Sequence, residues 1–363
     1  MTAVHQLLPV LSPGDAIGQA VLRMRAALQD AGVGSEIFAE EVDQRFQTAA
    51  HPSVELPGRV AADDVVLYHL SIGARSATLL ERLRCRRVIV YHNITPAHYY
   101  RAVSPRVAHW LDQGRRDLAR LAPAAELGVA DSEYNAAELR AAGCTDTLVI
   151  PPPVDLRRLE PRPSHPSSPP LLLFVSRLAP NKRQDHLVRV LAALRGTAQP
   201  EATLTLAGGW DDTETYAAGL RRLAADLGVA GAVSIPGRLS DQELGDLYAR
   251  AGVSVCASEH EGFGMHFLEA WAFEVPVVAR AAAAVPETVG DAGVLLRSDD
   301  PLVWAATADR VIRDQGLRRR LQERGRRRLA RFSDQKLSAG LAEMLDRLSL
   351  CHHAALQPSR ERP

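Results

Sequence analysis

The stretch VSVCASEHEGFGMHFLEA, residues 253–270, decides how the rest of the chain is read. Val253 to Ala257 is a short β-branched and apolar run, the composition of a strand buried on both faces. Gly262, Phe263 and Gly264 make a turn, and Phe267, Leu268 and Trp271 begin an apolar helical pattern. Strand, glycine turn and helix start leave backbone N–H groups around Gly264, Met265 and His266 where an anion or a sugar hydroxyl can bind. Two carboxylates flank the turn, Glu261 before it and Glu269 inside the helix. Read as eight helical residues, their spacing is about 12 Å. That suits two acids gripping different ends of one elongated ligand better than a pair sharing a proton. Carboxylates accept paired hydrogen bonds from vicinal hydroxyls, which sugars and ribose both carry.

The same rhythm runs outward in both directions. Strand-like runs occur at Leu171 to Val175, Thr203 to Ala207, Val233 to Pro236, Pro276 to Ala279 and Val294 to Leu296. Before them lie Val4 to Val10, Ser35 to Ala39, Val65 to His69, Val88 to His92, Leu127 to Ala130 and Leu148 to Ile150. Between strands, Asp15 to Ala31 carries Ile17, Val21, Met24, Leu28 and Ala31 at spacings of three and four, with Asp15 as N-cap and Gly32 as the stop. Apolar strands alternating with helices give parallel sheets covered on both faces. The expected fold is α/β, two Rossmann-like doubly wound parallel-sheet domains facing a cleft. The expected boundaries are 1–152 for a first domain, 153–170 for a Pro/Ser-rich linker, 171–332 for a second domain, and 333–363 for a terminal helix and frayed tail. The sequence does not say which domain the terminal helix covers.

Composition limits the partners. The chain has 363 residues, 46% apolar and 24% charged, which suits two globular domains. Lys plus Arg equals Asp plus Glu at 43 each, so no global field draws it to nucleic acid. Anion binding must come from a few placed groups. Cys85, Cys144, Cys256 and Cys351 are widely spaced, form no CxxC and read as small hydrophobes. No leader pattern or long apolar run appears, so the expected location is cytoplasmic, with peripheral membrane contact left open. Oligomeric state is unreadable.

A second feature is VSRLAPNKR, residues 175–183, at the end of the first strand of the second half. Ligands of open α/β sheets bind at such carboxyl ends. Arg177 offers a planar fork and Lys182 a mobile point charge, a pair suited to a diphosphate leaving group. No DxD occurs, so no metal site is expected, and no cofactor.

Taken together, Glu261 to Glu269 resembles the E-x7-E signature of the retaining family 4 glycosyltransferases (glycosyl transferases group 1), of GT-B fold. SRLAPNK, PGRLSDQEL, EGFG…LEA and VPE follow in that family's order, strongly from about Leu171 to Leu296. The resemblance implies that Arg177 and Lys182 hold the diphosphate and that Glu261 contacts the donor sugar. It also implies that Glu269 binds the ribose hydroxyls and that Ile235 to Leu239, Arg238 among them, lie beside the base. Gly262, Phe263, Gly264, Met265 and His266 join the donor site. In the first half, Gly14 opens the flexible loop that touches donor and acceptor, and His92 is the match to a histidine beside the reacting sugar. His98, Tyr99 and Tyr100 follow in an acceptor-side loop. Departures are Ser176 for a usual Gly, Ala281 to Ala284 for a Gly pair before Pro286 and Glu287, Pro153 in place of the Gly before Val154 and Asp155, and Met265-His266.

The activity expected is metal-independent transfer of a hexosyl group from a nucleotide sugar, UDP preferred over GDP, to an acceptor hydroxyl with retention. The acceptor is a small molecule or glycan. A GT-B-fold UDP-sugar epimerase and a non-catalytic nucleotide-sugar-binding homologue are the alternatives. A dehydrogenase would need GxGxxG and a P-loop enzyme GxxxxGK[ST], and neither is present.

Overall fold

The β-branched runs of the sequence become strands, and those inside the sheets, such as Val65–Leu70 and Ala251–Cys256, are buried at every residue. The computed structural model describes residues 2–12 and 16–350. They fall into two compact units. The first takes the described residues within 1–96, 109–154 and 332–363, and the second takes 97–108 and 155–331.

The first unit contains β1 (Val4–Leu11), β2 (Ile37–Val42), β3 (His51–Pro52), β4 (Val65–Leu70), β5 (Arg86–Tyr91), β6 (Leu127–Ala130) and β7 (Thr147–Val149). Their order is β3-β2-β1-β4-β5-β6-β7, every pairing parallel. The short β3 had no counterpart among the expected strands; two residues carry too little pattern to read. The helix Ala16–Asp30 ends at Gly32, whose φ of +78° admits glycine readily. Val33 N–H reaches Leu28 C=O and Gly32 N–H reaches Gln29 C=O, both at 2.9 Å, a Schellman stop. The assigned N-cap Asp15 lies outside the described residues.

The helix Asp334–Arg347 belongs to this first unit. Leu337, Leu341, Met344 and Leu345 are buried in one cluster with Val4, Val65, Leu67, Val88 and Val90. Removing each such side chain from water contributes roughly 2 kcal/mol, which decides a docking the helix's own sequence left open.

The second unit contains β8 (Leu171–Val175), β9 (Thr203–Ala207), β10 (Val233–Gly237), β11 (Ala251–Cys256), β12 (Val277–Arg280) and β13 (Gly293–Leu296). All pairings are parallel in the order β10-β9-β8-β11-β12-β13. Numbered from its own first strand this is the 3-2-1-4-5-6 order of a dinucleotide-fold sheet. Its topological switch point therefore lies between β8 and β11. The segment 153–170, expected as a linker, is tied down from residue 155 onward within this unit. Ser164 N–H bonds Phe273 C=O, His165 N–H bonds Ala249 C=O, and Ser167 N–H bonds Arg250 C=O. No helix among the described residues is long and apolar enough to cross a membrane.

Candidate active site

The switch point dictates where a site can form. Strands β8 and β11 diverge to opposite crossovers there, and their carboxyl ends carry the two stretches singled out in the sequence. After β8, Ser176 and Arg177 lead to the single turn Pro180–Lys182. After β11, residues 257–264 lead to the helix Met265–Ala272. Asn181 laces the two together: its C=O accepts from Glu259 N–H at 2.9 Å, and its Nδ2 donates to His260 C=O at 3.2 Å.

That lacing brings Lys182 onto Glu261. The Lys182 ammonium donates to Glu261 Oε2, and Glu261 is only 8% exposed. Burial alone would raise this carboxyl; Lys182, then His266, outweigh it and hold it below the ordinary range. The sequence assigned these two groups to different parts of a ligand, yet the fold makes them one ion pair. Glu261 also lies in the loop, because the helix begins only at Met265, so the helical spacing to Glu269 does not apply.

Gly264 sits at the helix N-cap with φ +97°, and no side chain caps the first turn. A Cβ there would lie 2.5 Å from the Phe267 ring. The residue is a glycine on both counts, and the uncapped turn is open to an acceptor atom. Phe263 is buried beside it. His266 is buried, its Nδ1 4.0 Å from Glu261 Oε1 and its Nε2 without a partner in the structure. Burial lowers its pKa to about 4 against the opposing pull of Glu261, so the ring is neutral at pH 7.

This gives a signed pH prediction. A group lowered from 6.5 to about 4 stabilises the fold above pH 6.5, and that stability is lost as pH falls toward 4. Between pH 7 and 5 the loss from this one group is about 2 kcal/mol. Urea unfolding of wild type and His266→Gln at both pH values measures it: the variant should lose about 2 kcal/mol less. Equal pH slopes would contradict the assignment.

Glu269, in the second turn of the helix Met265–Ala272, is 6% exposed and held on both oxygens. Arg158 Nη2 donates to Oε1 at 2.6 Å and Tyr248 Oη to Oε2 at 2.9 Å. Neither partner was found in the sequence. Arg158 lay in a stretch read as linker, and Tyr248 is one apolar-patterned residue of a helix.

Arg177 is exposed at the strand edge. Ser176, where a Gly was expected, receives Gln184 Nε2 on its Oγ at 3.0 Å. Beside them Ile235 and Leu239 are half-buried around the end of β10, and Arg238 is an exposed partner of Asp211. Trp210, also missed in the sequence, stands against Gly237: a Cβ there would be 3.2 Å from the indole. Ala283 takes φ +49°, so the backbone keeps a left-handed turn where the expected glycine is absent. Ala284 N–H bonds Glu261 C=O at 3.1 Å, tying that turn to the site.

In the first unit, His92 follows β5 and joins a row of polar side chains across four adjacent strands. Its Nδ1 faces Asp131 at 3.0 Å and its Nε2 meets His69 Nδ1 at 2.9 Å; His69 Nε2 meets Gln6 Oε1 at 3.1 Å. Gln6 Nε2 donates to Val21 C=O, which leaves its oxygen to accept from His69 Nε2–H. Burial, then His92, holds His69 far below the ordinary imidazole range, so its Nδ1 is bare and accepts from His92. Both ring nitrogens of His92 are thus engaged. Gly14 lies outside the described residues. Tyr100 is buried, and Tyr99, within the second unit, is bonded to Glu259.

The two-unit architecture has counterparts among solved structures. Anabaena HepE, solved in complex with UDP and glucose, aligns with a TM-score of 0.72 at 21% identity, over 95% of this chain and 100% of that one. Sucrose-phosphate synthase from Thermosynechococcus elongatus aligns at 0.71 and 19% identity, over 96% and 99%. The fold is GT-B, two Rossmann-like parallel-sheet units. In sequence, the family described as Glycosyl transferases group 1 matches residues 157–328. That segment holds Arg158, Arg177, Lys182, Glu261 and Glu269. The D-inositol 3-phosphate glycosyltransferase of Salinispora arenicola (strain CNS-205) is 34% identical over 55% of this chain and 49% of its own length. A GDP-mannose-dependent alpha-(1-6)-phosphatidylinositol monomannoside mannosyltransferase of Mycolicibacterium smegmatis is 37% identical over 39% of this chain and 40% of its own. The chain spans about half the length of the first of these curated relatives.

Proposed function

We propose that the chain is a glycosyltransferase that moves a hexosyl group from a nucleotide sugar to an acceptor hydroxyl, retaining anomeric configuration and using no metal. The observation that carries this reading is the Lys182–Glu261 pair at the switch point, beside an exposed Arg177 and an uncapped helix start. Breaking a glycosyl phosphate bond leaves positive charge on the sugar and negative charge on the diphosphate. Arg177, Lys182 and the N–H groups of Met265 and His266 stabilise the diphosphate. Glu261 accepts from sugar hydroxyls, and Glu269 from the ribose diol. No enzyme carboxylate is assigned as nucleophile, because the leaving phosphate can assist attack from its own face.

Ile235 to Leu239 and Trp210 border the base. UDP is preferred over GDP on the likeness to HepE, whose structure holds UDP. His92 is proposed as a polar group for the reacting sugar; a direct bond from its ring requires release of His69 or Asp131. A cytoplasmic location follows from dependence on nucleotide sugars.

The test is a thermal-shift panel of UDP-, GDP-, ADP- and dTDP-hexoses, followed by product analysis. A ligand at 100 times its Kd adds about 2.7 kcal/mol to the folded state, which moves the midpoint by several degrees. Absence of any shift across the panel would remove the reading. Conversion of the donor without acceptor would mark an epimerase, and binding without turnover a non-catalytic homologue.

A further inference from the structure

Glu269 is expected to meet a ribose, yet it is already gripped by a residue from outside the two motifs. Arg158 lies on the single turn Arg157–Leu159. Leu159 is buried, and its carbonyl backs onto Gly245 so closely that a Cβ there would be 2.5 Å away. The turn is therefore seated against the helix Asp241–Arg250 with no room to shift inward. From that seat Arg158 forks: Nη1 donates to Asp241 and Nη2 to Glu269 Oε1. Tyr248, fully buried with its ring stacked on Phe273 at 5.4 Å, fixes the second oxygen.

A carboxylate offers about four acceptor positions. Arg158 and Tyr248 occupy one on each oxygen, which leaves one on each oxygen for a vicinal diol. The carboxyl plane cannot rotate without breaking one of two bonds, so its free lone pairs are pre-oriented. The Glu269 carboxyl lies above the ordinary carboxylate range, and the guanidinium limits that rise. Burial is the largest influence on Glu269 and raises it, and Arg158 is the largest influence against that.

We propose that Arg158 is a positioning residue for ribose recognition: by fixing the Glu269 carboxylate it determines whether the site distinguishes a ribonucleotide from a 2′-deoxyribonucleotide. This rests on the nucleotide-sugar reading of the same site. A competing geometry, Arg158 as a plug that the ribose must displace, predicts the opposite sign.

The experiment is calorimetric titration of UDP, 2′-deoxy-UDP, GDP, 2′-deoxy-GDP and UMP into wild type, Arg158→Gln, Arg158→Lys, Glu269→Gln and Arg177→Ala, each checked for a cooperative thermal transition. Wild type should favour the ribonucleotide by about tenfold to a hundredfold, the worth of a hydrogen bond to a charged group. Arg158→Gln and Glu269→Gln should bring that ratio close to one while leaving the UDP-to-UMP ratio unchanged. Arg177→Ala should do the reverse, and Arg158→Lys should recover part of the ribose ratio. An undiminished ribose ratio in Arg158→Gln overturns the proposal, as does tighter ribonucleotide binding, which identifies the plug. If Arg158→Gln does not fold, a wild-type ribose ratio in Arg158→Lys overturns it. Wild type binding no nucleotide at all would overturn the parent reading, and this one with it.

Discussion

Replacing Lys182 by alanine is expected to lower turnover about a thousandfold and to cost about 3 kcal/mol of stability at pH 7. The two effects have separate causes. In the proposed reaction, turnover falls because the departing diphosphate loses a cation. Stability falls because Glu261, 8% exposed, is left as a buried carboxylate without its partner. The estimate sits at the low end for a broken buried pair because the Lys182 side chain is 18% exposed. Adding Glu261→Gln to the same chain removes the unpaired charge, so it should restore most of the stability and none of the turnover.

The pH dependence has a defined sign. In wild type the Glu261 carboxyl is lowered from 4.5, so its contribution is present above pH 4.5 and lost as pH falls through the folded value. In Lys182→Ala burial loses its main opponent, the carboxyl moves up, and protonation relieves the charge. The deficit of the variant should therefore shrink as pH is lowered from 7. Urea unfolding at pH 7 and 5 and saturating-donor turnover are the readouts. Near-normal turnover in Lys182→Ala, or its recovery in the double variant, would refute the assigned role.

Gly208→Ala should be the most damaging single methyl group in the second unit, costing about 3–5 kcal/mol. Gly208 follows β9 at φ +142°, and a Cβ there would lie 2.0 Å from the Ser176 carbonyl oxygen. The neighbouring backbone cannot give way freely. Ser176 N–H bonds Ala207 C=O, Gly208 N–H bonds Gly237 C=O, and Leu178 N–H bonds Gly209 C=O, all at 2.9 Å. Three strand ends would have to separate, and Arg177 is carried on one of them. Any folded Gly208→Ala protein should show a donor-dependent defect as well, since about 1 Å of misplacement can cost a hundredfold.

Gly219 supplies the control. It lies in the helix Glu214–Asp226 with nothing within 4 Å of its Cβ position, and Gly219→Ala should stabilise by about 0.5–1 kcal/mol. Denaturant midpoints for the two variants should move in opposite directions. A Gly208→Ala protein as stable as wild type would show that the strand ends are not locked as described.

These two residues divide by what a sequence can carry. Lys182 and Glu261 were both legible, because a charged side chain beside a glycine turn or a strand end announces a chemistry. Their pairing was not, since their separation of 79 positions is closed only by the adjacency of β8 and β11. Gly208 was invisible for another reason. One glycine among 25 says nothing until the atom its side chain would strike is known. Arg158 was misread as part of a linker because proline-rich composition reports a chain that cannot form helix or central strand, not a chain that is free.

Taken alone, the sequence determined the alternation of strands and helices, the parallel sheets and the strand–turn–helix around Gly264, and it singled out Arg177 and Lys182 as the groups proposed to hold a diphosphate. Those are local or periodic properties, written in neighbouring residues. Only the tertiary structure decided that the helix Asp334–Arg347 covers the first sheet, that Lys182 neutralises Glu261, that Arg158 and Tyr248 hold Glu269, and that His92 is spent on Asp131 and His69. Each of those depends on burial, which removes water as a partner and forces every charged or polar group to find another one from elsewhere in the chain.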